Sequence, residues 1–330
     1  MHRREFIKTS AAAAFVASLE PSFTFASDAG GMPQRVLGHT GEKVSLIGVG
    51  GYHLANTGVT EATAIQVVRA AIDAGVNFLD NSWSYHEGES EVRMGKAIRD
   101  GYRAKAFLMT KIDGRTAESA SQQLDQSLQR LQVDHVDLIQ MHQLENLNEP
   151  DQVFAADGAV EVLVKAKQAG KVRYIGFTGH TSPKVHLRML ELADQHGFLF
   201  DAVQMPLNVM DAHYNSFGSE VLPVLQKKNI GVLGMKSIAD KHILKSNTVT
   251  AAECLNFTMN LPVSVCITGC DSMPILQQAL DLARNFKPLT QDEVKAILTK
   301  TEAAALKGEF EPYKKTVYIR DRGAESEAVA

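Results

Sequence analysis

Cysteine is scarce in this sequence: Cys254, Cys266 and Cys270 are the three in 330 residues. Three cannot build a disulfide framework, and their spacing lacks the paired CxxC elements of a zinc or iron–sulfur site, so they read as small buried hydrophobes. Positive charge is not in excess either. The 34 lysines and arginines face 38 carboxylates, a formal net charge of −4, which gives no field for a phosphate backbone and sets nucleic acid aside as a partner. No apolar run reaches the roughly 18 residues that a membrane-spanning helix needs, so no stable membrane insertion is expected. A Pro/Gly/Ser-rich linker that would divide the chain is also missing. With 45% hydrophobic and 22% charged residues, the composition suits one large globular core.

The first 29 residues read as an address. Arg3-Arg4 is followed by Phe6, Lys8 and a short Ala-rich apolar stretch from Ala11 to Leu19, the pattern of a twin-arginine export signal. Small residues at Thr24/Ala26 or Ser27/Ala29 flank candidate cleavage sites. The expected partner is the twin-arginine export machinery, and the expected destination is periplasmic or otherwise extracytoplasmic. That route carries folded proteins, which implies a cofactor bound before transport.

From residue 30 to 330 we expect a single domain. Apolar, strand-like runs recur at Val44–Val49, Val76–Asp80, Ala106–Lys111, Val136–His142, Arg173–Thr178, Asp201–Met205, Ile230–Met235 and Ser264–Gly269. Their spacing, about 30 residues, is that of one strand plus one crossover helix. The intervening segments carry helix punctuation: Thr60 as an N-cap with Gly75 past the end, Leu124, Leu128 and Leu131 on one face, and Ser182-Pro183 opening a helix that closes at Gly197. Eight apolar strands alternating with helices require a parallel sheet covered by helices. The count of eight predicts an α/β fold, a (β/α)8 TIM barrel; Gly48-Val49-Gly50-Gly51 lacks the spacing of a dinucleotide-binding turn. Arg35 to Lys43 reads as an N-terminal β-hairpin able to plug one end.

In such a barrel, chemistry sits where the strands end. The second predicted strand ends at Asp80 and runs into Tyr85, the third ends at Lys111, and the fourth ends at His142. An ammonium beside a phenol stabilises the phenolate, so Lys111 is expected to lower the pKa of Tyr85, with Asp80 as the counter-ion that keeps Lys111 charged. A neutral imidazole at His142 is expected to donate to a carbonyl oxygen. The set suits protonation of an oxygen that gains negative charge, as when a carbonyl accepts hydride. No metal-ligand pattern is found.

Taken together, these residues resemble the aldo-keto reductase superfamily, from Arg35 to about Ala283. The run DNSWSYHEGESE at Asp80–Glu91 resembles the family's signature loop, Lys111 in LMTK and His142 complete its tetrad, and GKVRYIGFTG and DAVQMPLN resemble its fifth and sixth strands. The resemblance implies an NAD(P)(H)-dependent oxidoreductase acting on a small-molecule carbonyl or alcohol. It places Thr178, His180 and Gln204 at the nicotinamide carboxamide, with His180 substituting for an Asn amide, and Met235 and Lys236 where the family often stacks a Tyr. His86 replaces the Gly that commonly follows the catalytic Tyr. Around the adenosine it implies Gly269, Ser272 and Gln278. Family habit favours NADP, but Gly269 and Ile275 stand at the positions of its phosphate-gripping Lys and Arg, so NAD is expected to be at least tolerated. A non-catalytic cofactor-binding or redox-sensing module on the same barrel is the alternative. The scarcity of free nicotinamide outside the cytoplasm favours it, and the intact tetrad opposes it.

The address generates a test of its own. Replacing Arg3-Arg4 with two lysines should hold a precursor in the cytoplasm, visible on cell fractionation. Continued export would mean that the N-terminus is read by another route.

Overall fold

The computed structural model describes residues 26–27 and 31–315; apart from Ala26 and Ser27, the predicted export signal lies outside them. Eight parallel strands close into a barrel: β4 (Ile47–Gly50), β5 (Phe78–Asp80), β6 (Phe107–Ile112), β7 (Val136–Met141), β8 (Val172–Thr178), β9 (Ala202–Pro206), β10 (Gly231–Met235) and β11 (Val265–Gly269). They follow chain order, and β11 pairs with β4 to complete the circle. The expected (β/α)8 barrel is therefore the fold. The first helix, α1 (Glu61–Asp73), opens as anticipated, with the Thr60 side chain accepting from the Thr63 N–H, and ends before Gly75 at φ 95°. The next two are α2 (Glu89–Ala97) and α3 (Ala117–Leu131), and α3 buries Leu124, Leu128 and Leu131 against the barrel. Further round come α4 (Glu149–Val153), α5 (Ala159–Gln168), α6 (Pro183–Gln195), α7 (Phe217–Glu220) and α8 (Leu222–Lys227). The circuit closes with α9 (Ala251–Asn260), α10 (Met273–Arg284) and α11 (Gln291–Ala305). Among the described residues no helix is long and apolar enough to cross a membrane.

The hairpin is present as β2 (Pro33–Val36) and β3 (Lys43–Ser45), antiparallel with Arg35 opposite Val44, and β1 (Ala26–Ser27) adds a third strand on β2. One boundary differs from expectation: the single run Val44–Val49 is two strands. The chain turns at Leu46, whose N–H donates to the Pro33 carbonyl at 2.8 Å while Ser45 Oγ donates to the Ile47 carbonyl at 2.7 Å. Every residue of the run is buried, so no change of hydrophobic period marks the corner.

The hairpin closes the barrel floor. Leu37 and Val44 join Phe78, Phe107, Leu138 and Val265 in the interior cluster. Gly38 comes so close to β10 that a Cβ there would lie 2.3 Å from the Gly231 nitrogen. Arg35 is the latch: its guanidinium donates to the carbonyls of Met259, Leu261 and Val263 at 2.7–3.2 Å, satisfying acceptors that the end of α9 leaves without helical partners. With the floor sealed, the open end is the one at which the strands finish.

Candidate active site

Strand β5 ends on Asp80, and the chain then makes a tight loop before α2. Its backbone is anchored to the neighbouring strand: Asn81 N–H donates to the Met109 carbonyl and Trp83 N–H to the Lys111 carbonyl, at 3.0 and 2.9 Å. Gly88, at φ 94°, ends the loop where the Arg130 guanidinium of α3 leaves no room for a Cβ. That guanidinium donates to the Trp83 carbonyl at 2.8 Å and pairs with the buried Glu91. The loop presents Tyr85 as a fixed group.

Lys111 Nζ sits at the centre. Its three N–H groups find three acceptors: the Asp80 carboxylate, the Asn81 carbonyl at 2.7 Å and the Tyr85 hydroxyl oxygen at 3.0 Å. Because the phenol oxygen accepts from Lys111, its own proton is left to point at whatever lies in front. Asp80 takes a second bond from Gln204 Nε2 at 3.0 Å. His142 follows β7, with its ring 5.6 Å from that of Tyr85. Its Nδ1 lies 2.9 Å from the Asp113 carboxylate, 3.1 Å from Ser82 Oγ and 3.4 Å from Ser84 Oγ. The four expected residues are thus brought together.

Lys111 lowers the Tyr85 pKa as expected, but a larger effect opposes it. Burial pushes the Tyr85 phenol above its ordinary range, and Lys111, which pulls it down, offsets only part of that. Burial likewise opposes the Lys111 charge, but Asp80 and Tyr85 together hold the ammonium above its usual value. His180 is held well below the ordinary imidazole range, first by burial and then by the cations Lys236 and Lys111 and its neighbour His142. Both effects favour the neutral ring.

Thr178 ends β8 and Gln204 lies within β9, both buried; Met235, also buried, ends β10 and Lys236 follows half-buried. Among the described residues neither Thr178 Oγ1 nor Gln204 Oε1 has a hydrogen-bond partner. Two buried acceptors left open at adjacent strand ends suit the N–H2 of a carboxamide, so these residues fit a nicotinamide. Gly269 ends β11 against the His53 imidazole, which reaches Asp240 at 3.2 Å. Ser272 precedes α10 and bonds Asp271. Gln278 is not gathered with the rest: it is exposed on α10, in a cleft of about 800 Å³ shared with Asn256, Asp281 and Glu293. His86 stands at the rim, with Nε2 3.0 Å from the Tyr52 carbonyl. All three cysteines are buried and free.

Residues 46–254 match the aldo/keto reductase family. This chain belongs to the aldo/keto reductase family. It is 34% identical over 224 residues to an L-galactose dehydrogenase of Arabidopsis thaliana, a match covering 62% of this chain and 65% of that protein. It is 33% identical over 212 residues to an aldo-keto reductase of Bacillus subtilis (strain 168), covering 59% and 58%. The chain therefore spans less than two thirds of either relative. In fold it is similar to an aldo-keto reductase from Bacillus halodurans in its holo form, with a TM-score of 0.69 at 21% identity over 85% of this chain and all of that one.

Two parts of this end were not singled out from sequence. Asp113 lies two residues beyond Lys111, just past the end of β6. The C-terminal segment is the other. Tyr313 donates to Glu311 at 2.8 Å and accepts from Asn208 at 2.9 Å, while Lys314 is buried against Asp211 and the Tyr214 carbonyl. The Tyr313 ring stands 6.3 Å from that of His180.

The Tyr85 ionisation is directly measurable as phenolate absorbance, taken as the difference between wild type and Tyr85→Phe. It should lie above the ordinary phenol value of about 10 and higher still in Lys111→Met. Ionisation at or below that value would show that Lys111 outweighs burial.

Proposed function

We propose that this protein is an NAD(P)(H)-dependent oxidoreductase that interconverts a small carbonyl compound and its alcohol. The observation that carries the reading is the Lys111 ammonium joined to both Asp80 and the Tyr85 hydroxyl, with His142 beside them. In reduction Tyr85 is the general acid, placed so that its proton faces the substrate oxygen. Lys111 keeps its charge because Asp80 is beside it, and His142 orients the oxygen. A nicotinamide, when bound, supplies or takes the hydride. Thr178, Gln204 and His180 would hold its carboxamide, and Met235 and Lys236 would border its ring. Gly269 and Ser272 would face the adenosine, whereas Gln278, exposed on α10 apart from them, is not assigned to it.

Arg3-Arg4, Phe6 and Lys8 support export through the twin-arginine machinery. On this reading the protein folds and takes up its cofactor in the cytoplasm and works outside it. Two relatives carry the names of sugar-linked activities, the L-galactose dehydrogenase and a 6-dehydroglucose reductase of Novosphingobium aromaticivorans, so aldehyde and hydroxyl groups of sugars head the substrate panel.

Tyr85→Phe should lower turnover by at least about 100-fold while leaving cofactor affinity nearly unchanged. Near-normal turnover in that variant would remove Tyr85 from the mechanism and with it this reading.

The cofactor choice has its own test. A 2′-phosphate relies on charge-assisted contacts worth about 1.5–3 kcal/mol each, and Gly269 and Ile275 supply none. Asp271 adds repulsion for a phosphate and an acceptor for a free ribose hydroxyl. NAD(H) should therefore bind at least as well as NADP(H) in fluorescence titrations at two salt concentrations. A preference for NADPH above about tenfold that weakens with salt would mean that another cation reaches the phosphate.

A further inference from the structure

The Asp113 carboxylate meets His142 on Nδ1, at the opposite side of the ring from Nε2. Nδ1 is faced by three oxygens: Asp113 at 2.9 Å, Ser82 at 3.1 Å and Ser84 at 3.4 Å. A serine hydroxyl can donate or accept, whereas a carboxylate can only accept. The nearest of the three therefore requires hydrogen on Nδ1.

Both members of the pair are held in place. The N–H groups of Asp113 and Gly114 both donate to Gln123 Oε1 at 2.7 Å. The loop lies so close to α3 that a Cβ on Gly114 would stand 2.6 Å from the Ala120 nitrogen. On the other side, Arg115 donates to the carbonyls of His142 and Gln143 at 2.8 and 3.0 Å, and Glu149 pairs with that guanidinium.

We propose that Asp113 is a positioning residue that holds His142 as its Nδ1–H tautomer and stabilises the imidazolium, so that Nε2 accepts from an alcohol when the ring is neutral and donates to a carbonyl only when it is charged. The proposal rests on the reading of Tyr85 and His142 as the groups that meet the substrate oxygen, and it reverses the expectation that a neutral His142 donates there. The proton balance follows. A carbonyl that becomes an alcohol takes up one hydride and one proton. Tyr85 gives its proton to the oxygen and regains one from Nε2 through that same oxygen, so the net proton leaves the imidazolium and the phenol is unchanged. In the opposite direction the alcohol proton ends on Nε2. A buried phenolate, which the pocket disfavours, does not persist in either direction.

The charged and titratable groups around His142 are Tyr85 from the loop after β5, Lys111 on β6, Asp113 and Arg115 after β6, Glu149 at the start of α4, and His180 after β8. Lys111 and Arg115 oppose an imidazolium, but each is already paired with a carboxylate, Asp80 and Glu149 respectively. His180 is held toward its neutral form. Asp113 is the carboxylate in contact with the ring.

The test uses the cofactor-loaded protein labelled with nitrogen-15 in its histidines, with His142 assigned by its loss in His142→Gln. The neutral ring should carry its hydrogen on Nδ1. In kinetics, kcat/KM for carbonyl reduction should fall above one midpoint and that for alcohol oxidation should level off at the same midpoint. That midpoint should match the His142 titration seen by resonance. Asp113→Asn should move the midpoint and the resonance titration together to lower pH by at least about one unit, the usual effect of removing an adjacent opposite charge. Hydrogen on Nε2 of the neutral ring, or a midpoint that Asp113→Asn leaves in place, would overturn the proposal. Should Asp113→Asn fail to fold, the tautomer in the wild-type protein decides alone. If these results go against the proposal while Tyr85→Phe is inactive, the oxidoreductase reading stands and only the role of Asp113 falls.

Discussion

One buried charge organises the open end of this barrel. The Lys111 side chain is 1% exposed, and an ammonium removed from water is costly unless each of its donors is met. Three acceptors around one buried ammonium can only come from groups that are held at fixed positions. The Asp80 carboxylate, the Asn81 carbonyl and the Tyr85 oxygen are those groups, and each belongs to β5 or the loop after it. The loop cannot relax without leaving part of the ammonium unmet. The phenol is thereby fixed as a consequence of solvating a cation, with Gly88 and Arg130 holding the loop from behind.

The same constraint explains what could be read from sequence. Strands buried on both faces show as continuous apolar runs, and a polar residue closing such a run stands out, which is how Asp80, Lys111 and His142 were found. The turn at Leu46 was hidden because every residue from Val44 to Val49, on both sides of it, is buried. Asp113 was overlooked because a carboxylate in a polar loop has many surface explanations, and its partnership with His142 depends on two strand ends 29 residues apart being neighbours. The direction of the Tyr85 shift was legible only in structure, since neighbouring charge types can be read from a sequence but depth of burial cannot.

The C-terminal segment went unread for a different reason. Between Glu309 and Lys315 the residues are mostly charged or aromatic, the composition of an exposed tail. Yet Glu311, Tyr313 and Lys314 are buried and meet partners from the stretch after β9, Asn208, Asp211 and Tyr214. Each polar group there is acceptable inside because another segment, a hundred residues away in sequence, supplies its complement. Such pairings carry no local signature.

The hairpin's ion-pair network at the floor uses charge differently from the open end. At the floor, Glu42 of the hairpin bonds Tyr174 and Arg173, and Arg173 also pairs with Asp137 at 2.7 Å. Arg173 is 43% exposed, so water screens this network and each pair contributes little by itself; its role is to seat the hairpin. At the open end Lys111 and Asp80 are nearly dry, where the loss of one partner leaves the other unmet. A barrel with only the first kind of charge would be stable and inert. The second kind costs stability to bury, and it holds a phenol and an imidazole side by side, their rings 5.6 Å apart.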